Sequence, residues 1–226
     1  MNTLIDKPLP APLRSLPPPY SMSEEFAHAL SHGIGIVLAI AGLCVLVVYS
    51  VLNGDALHVI ASSIFGASLI LLYTGSTLYH SVRHAATKYQ LRKLDQAMVY
   101  LLIAGSYTPL DLISIGGAFG YGLFGLTWLV ALSGMLFCLL AHERHERFAL
   151  AFYLGLGWSV LLILPRLIHG MQTGGLVLLF GGGLCYTIGV AFYLRESQRY
   201  FHAIWHLFVL AGSAAHFFMV LRYVIP

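Results

Sequence analysis

An all-α polytopic membrane protein with seven transmembrane helices, its N-terminus in the cytoplasm and its C-terminus outside, is the fold class this sequence predicts. Three observations lead there. First, 58% of the 226 residues are hydrophobic and only 9% are charged, against roughly 45–50% and about 25% in soluble domains. Second, stretches free of Asp, Glu, Lys and Arg cover residues 26–54, 56–82, 96–110, 112–142, 148–165, 167–194 and 200–221. A bilayer core about 30 Å thick takes about 20 apolar residues per helix, so seven runs predict seven spans. Third, the basic residues fall on one side. Lys7, Arg14, Arg83, Lys88, Arg92, Lys93, Arg144, Arg147, Arg195 and Arg199 share the side of the N-terminus, and only Arg166 and Arg222 lie on the other. Positive loops stay cytoplasmic, which orients the chain.

Taken in order, residues 1–22 are expected to be a flexible Pro-rich cytoplasmic tail, since Pro8, Pro10, Pro12, Pro17, Pro18 and Pro19 disfavour regular structure. It lacks the apolar centre of a cleavable signal, so the first run is read as a retained helix of the transmembrane domain 23–226. Asn53-Gly54-Asp55 turns the chain into the second span, and the basic stretch Arg83 to Lys93 leads out of it. The third run is short because Asp95 and Asp111 bracket it. We place that span from about Leu94 to Ile115, with Asp95 opening the helix and Asp111 near the opposite interface. Gly116, Gly117 and Gly120 make the turn into the fourth span. His142 to Arg147, Gly170 to Gly175 and Arg195 to Tyr200 supply the remaining connections. Cys44, Cys138 and Cys185 each sit inside an apolar run and read as packing residues, with no CxxC pair.

This topology excludes several functions of basic or seven-helix proteins. The net charge of +3 expresses the asymmetry across the membrane and predicts no nucleic-acid partner. A retinal protein needs a lysine within its last helix, whereas the lysines here are Lys7, Lys88 and Lys93. A G-protein-coupled receptor has its N-terminus outside.

Ionisable residues inside spans are costly and become functional candidates. There are eleven histidines, and several converge at one depth. His80 closes the second span three residues before Arg83, about 5 Å inside the cytoplasmic boundary at 1.5 Å per residue. His202 and His206 open the last span at roughly 5 and 10 Å depth. Their i, i+4 spacing puts both imidazoles on one helix face, where they can chelate one ion. Two interfacial histidines bonded to backbone or headgroups are the plainer reading of that pair taken alone. With His80 as a third imidazole, the set matches a catalytic zinc site with its fourth position open. Asp95 comes to the same layer, and Ser76, one turn deeper than His80 on the same face, either orients a ligand or bonds its own i−4 carbonyl.

Ser-Thr-Leu-Tyr-His at 76–80, Leu-Asp-Gln at 94–96, Ala-Gly-Ser-Tyr-Thr-Pro at 104–109 and His-Ala-Ile-Trp-His at 202–206 together resemble the hemolysin III family. That family is grouped with the progestin and adiponectin receptors and, more distantly, the alkaline ceramidases. The resemblance runs from Glu24 onward and includes Ser-His-Gly-Ile-Gly in the first span. It implies zinc ligands at His80, His202 and His206, an acidic residue at Asp95 that holds the attacking water, and the serine of an SxxxH motif at Ser76.

The remaining polar residues carry less. Glu24 and Glu25 favour the helix N-terminus electrostatically, and His28 and His32 repeat the i, i+4 spacing, which admits a second metal site; the simpler expectation is that His32 bonds a neighbouring helix. His216, ten residues past His206, reads as an interhelical hydrogen-bonding residue. Tyr20, Tyr89 and Tyr200 suit the interfacial belt. The leading expectation is a zinc-dependent hydrolase of a lipid amide or ester in a bacterial inner membrane, with membrane lipid as its substrate or ligand. A receptor-like sensor of the membrane with structural zinc comes second, and a pore-forming cytolysin third, because the ionisable groups gather at one face.

Overall fold

The structure, a computed structural model, describes residues 20–140 and 146–226. Most of the Pro-rich leader, His142 and His145 lie outside the described residues. Seven helices are long and apolar enough to cross a membrane: α1 Met22–Asn53, α2 Ala56–Ser81, α3 Ala85–Ile115, α4 Gly117–Leu140, α5 Phe148–Gly170, α6 Thr173–Tyr193 and α7 Phe201–Tyr223. No strand occurs among the described residues.

The outer surface is apolar and the interior carries the polar groups, the inverse of a soluble bundle. Phe26, Val37, Leu52, Leu129 and Leu162 are exposed, Leu162 by 85%, while His28, Ser62, Thr108, Asp111 and His206 are buried to 1% or less. Such a surface is stable only against hydrocarbon. Helices adjacent in sequence pack together from α1 to α4, α6 packs on α7, and α7 closes back on α1. That closure brings the two termini of the bundle's sequence order together and is what allows a site built from both.

Small residues set the crossings. A Cβ on Gly66 would stand 2.8 Å from the Leu43 Cβ, so α1 and α2 meet backbone to side chain there. At Gly75 a Cβ would lie 3.2 Å from Met98 Cγ and 3.9 Å from the Asp95 Cα, so its lack of a side chain seats α3 against α2 at the level of Asp95.

Helix α3 differs most from the expected span. It begins at Ala85, not Leu94, and only Val82–His84 separates it from α2. The basic residues that suggested a loop are accommodated in helix. Lys88 Nζ donates to the Tyr79 and Val82 carbonyls that end α2, at 3.0 and 3.3 Å, and Lys93 Nζ donates to the Leu139 carbonyl of α4 at 2.8 Å. Asp95 is therefore three turns inside the helix. Asp111 lies near the far end of α3 and faces the bundle interior. It is 1% exposed, in a π-helical turn Leu110–Ile115, and its Oδ2 accepts from Thr127 of α4 at 3.4 Å. Pro109 begins the departure from α geometry because its ring offers no N–H to the ladder. Gly116 and Gly117, at φ 62° and 61°, complete the reversal that L side chains resist.

Candidate metal centre

Three helices bring a histidine cluster together at the end of the bundle that carries most of the basic residues. The first turn of α1 starts with a capping box, in which the Glu24 amide donates to Ser21 Oγ and the Ser21 amide donates to the Glu24 carboxylate at 3.1 Å. From there α1 carries Glu25, His28, Ser31 and His32 inward. The last turn of α2 carries His80, and the first two turns of α7 carry His202 and His206. The donor atoms of His80, His202 and His206 all lie within 4.8 Å of one another. All three side chains are buried.

Each of these rings has its Nδ1 occupied. His80 Nδ1 donates to Glu25 Oε2 at 2.8 Å, and Lys88 pairs with the other oxygen of that carboxylate at 2.8 Å. His202 Nδ1 donates to Glu196 Oε2 at 3.0 Å, which also accepts from the Tyr20 hydroxyl at 2.7 Å. His206 Nδ1 lies 3.0 Å from Ser31 Oγ, which in turn donates to the His28 carbonyl at 2.8 Å. A neutral imidazole that donates through Nδ1 keeps its lone pair on Nε2, so three lone pairs remain for one ion. His80 Nε2 is buried without a hydrogen-bond partner. This is the usual arrangement of metal-binding histidines, in which an outer carboxylate or carbonyl fixes tautomer and ring orientation.

Outside the membrane-spanning helices, the same contacts set the state of two groups. Burial alone would raise the Glu196 carboxyl, but hydrogen bonds from His202 and Tyr20 outweigh it and hold the group below its ordinary range. Burial, aided by the neighbouring Glu196 charge, keeps the Tyr20 phenol far above its usual value. It is a donor at all physiological pH.

Asp95 and Ser76 line one cavity together with His202, His206 and Tyr20. The cavity continues along the bundle past Val209 to His216, about 20 Å along α7 at 1.5 Å per residue. Its lining becomes apolar away from the histidines, with Leu72, Leu110, Val160 and Leu179. At the far end His216 Nε2 donates to the Leu179 carbonyl at 3.1 Å, the interhelical bond its position suggested.

Several residues take roles other than those expected. Glu25, read as a helix N-terminal charge, reaches His80 and Lys88. Glu24 accepts from the Tyr200 amide at 3.1 Å and so fastens α1 to the start of α7. Tyr200 occupies the left-handed region at φ 63° there. Tyr20, expected in the interfacial belt, packs its ring edge-on against His28 at 4.8 Å. The His32 ring nitrogens find no hydrogen-bond partner among the described residues; the ring stacks on His206 with centroids 3.6 Å apart and planes 10° from parallel. Glu196 was missed entirely. Its spacing of six residues before His202, across a turn, is not a pattern that sequence reading singles out.

Comparison with known proteins gives concordant matches. A family model described as Haemolysin-III related matches residues 20–217, which span every group named above. The chain is 40% identical to Hemolysin-3 of Bacillus cereus over 205 residues, 91% of this chain and 94% of that one. It is 40% identical to a Hemolysin-3 homolog of Bacillus subtilis (strain 168), over 90% of this chain and 96% of that one. The human Monocyte to macrophage differentiation factor is 33% identical over 207 residues, covering 88% of this chain and 84% of its own length.

Proposed function

The chain belongs to the Haemolysin-III related family, and from that premise we propose that it is an integral protein of the bacterial inner membrane whose histidine cluster holds zinc and hydrolyses a lipid amide or ester. One observation carries the reading: three buried imidazoles, each with an outer partner at Nδ1, bring ligand atoms within 4.8 Å of one another at the head of a cavity that Asp95 also lines. The donor set fits zinc, which takes three protein ligands in catalytic sites, histidine prominent among them. Zinc supplies a Lewis acid for a scissile carbonyl and makes water acidic near neutral pH.

The chain's own residues do the rest. His80, His202 and His206 bind the ion. Asp95 accepts the proton of the attacking water at its carboxylate and returns it to the leaving amine or alcohol. Ser76, in the same cavity wall, donates its hydroxyl toward the polar linkage of the substrate. The apolar stretch toward Leu179 takes an acyl chain and excludes water from the reacting centre. Entry from the lipid, between helices, brings the linkage to the layer just below the headgroups, which the charge rule assigns to the cytoplasmic leaflet.

The test is a screen of lipid amides and esters for fatty acid released by purified, metal-loaded protein. Turnover lost on chelation and restored by zinc is the expected result. Persistent absence of turnover in fully metallated protein would favour the alternative, a sensor in which zinc only joins α2 to α7.

A further inference from the structure

We infer that His28 is a fourth protein ligand of this centre, so that at rest the metal is held by four imidazoles and the position a substrate needs is closed. The inference deepens the proposed function and rests on it for the identity of the other three ligands.

His28 is the cluster's least explained member. Its side chain is completely buried and neither ring nitrogen has a hydrogen-bond partner among the described residues, although an imidazole brings one donor and one acceptor and buried polar groups are ordinarily paired. Its ring stands among the other three. The centroid separations are 4.6 Å to His80, 4.8 Å to His202 and 5.5 Å to His206. Those among the other three rings are 5.1, 5.2 and 4.7 Å. The four centroids therefore mark the corners of a nearly regular tetrahedron. Four imidazoles bound to one zinc at about 2.0–2.1 Å place their ring centres about 5 Å apart, the edge length seen here.

The backbone beneath His28 is pinned, because its carbonyl accepts from Ser31, which is bonded to His206 Nδ1. Only side-chain rotation remains to turn a nitrogen inward. In the present rotamer its donor atom already lies within 4.8 Å of donor atoms of both His80 and Glu25. His32 has equally unpartnered nitrogens but stacks flat on His206, and parallel rings do not converge on a shared ion. Hydrolysis then begins with displacement of the His28 ring, which has Glu25 within reach as a second partner.

The test counts imidazoles directly in full-length purified protein, by X-ray absorption at the zinc edge and by the visible spectrum of the cobalt(II) form. Four imidazoles in a tetrahedral field are expected for the parent. His28→Ala, and His28→Asn as a variant that keeps more of the packing, should each show three imidazoles plus an oxygen donor with still one ion per chain. Three imidazoles in the parent, with a cobalt spectrum that neither substitution alters, would overturn the inference. Two ions per chain, one lost in both variants, would also overturn it and assign Glu25, His28 and His80 to a separate site. A parent that binds no ion, or one unaffected by His202→Ala, would overturn this inference and the proposed function together.

Discussion

Chelation and proton transfer fall to different side chains, and substitution should separate them. Asp95→Asn keeps size and hydrogen-bonding capacity but cannot accept the proton of a neutral water. We predict that it retains zinc while hydrolysis falls by on the order of 10²–10⁴-fold; metal analysis alongside fatty-acid release checks both halves, and joint loss of metal and activity would make Asp95 a ligand. Glu25→Gln and Glu196→Gln act one step further out. Each should weaken zinc binding by about 10–100-fold without changing the number of ligands, as competition with a chelator would measure. Glu196 also predicts an acid limb. Its carboxyl is held below the ordinary range by His202 and Tyr20, with burial opposing. The resulting stabilisation is complete above the ordinary glutamate value and is lost as pH falls through the lower folded one. Glu196→Gln should flatten that part of the melting-temperature profile. At this scale the convergence of His80, His202 and His206 was legible from spacing and depth. Glu25, Glu196 and Tyr20 were not, because their partners lie on helices 55, 6 and 176 or more residues away in sequence or across a turn, and no local pattern encodes a contact of that kind.

The helices owe their positions to small residues at crossings, so the cost of a substitution follows what the added side chain would meet. Gly66→Val forces α1 from α2 at Leu43 and should destabilise by about 1–3 kcal/mol. Gly33→Ala, with nothing within 4 Å of the added carbon, should leave the melting temperature unchanged or raise it. Thermal melts in detergent distinguish the two. The number and order of the helices were readable from uncharged runs because hydrocarbon tolerates few charges. The start of α3 was not. Lys88 and Lys93 look like loop residues until the carbonyls of Tyr79, Val82 and Leu139 are placed around them, and a lysine stem long enough to reach such acceptors makes charge an unreliable boundary marker. The π-helical turn after Pro109 was equally hidden, since it depends on how Asp111 and Gly120 meet across the α3–α4 reversal.

For the molecule as a whole, the centre joins the beginning of the chain to its end. The rings of α1, α2 and α7 meet only when α7 closes on α1, so an ion bound there stabilises the closed bundle and not the separated helices. At a free zinc concentration 100 times the dissociation constant, that linkage amounts to about 2.7 kcal/mol, and chelation should lower the melting temperature of the parent while leaving His202→Ala unmoved. Residues of α2, α3, α5, α6 and α7 line the cavity that runs on from the cluster. The most direct test of the central claim is the zinc content of purified protein beside His80→Ala and His202→Ala. About one tightly held zinc per chain in the parent and a large loss in each variant is the predicted result, and unchanged zinc in both variants would contradict it.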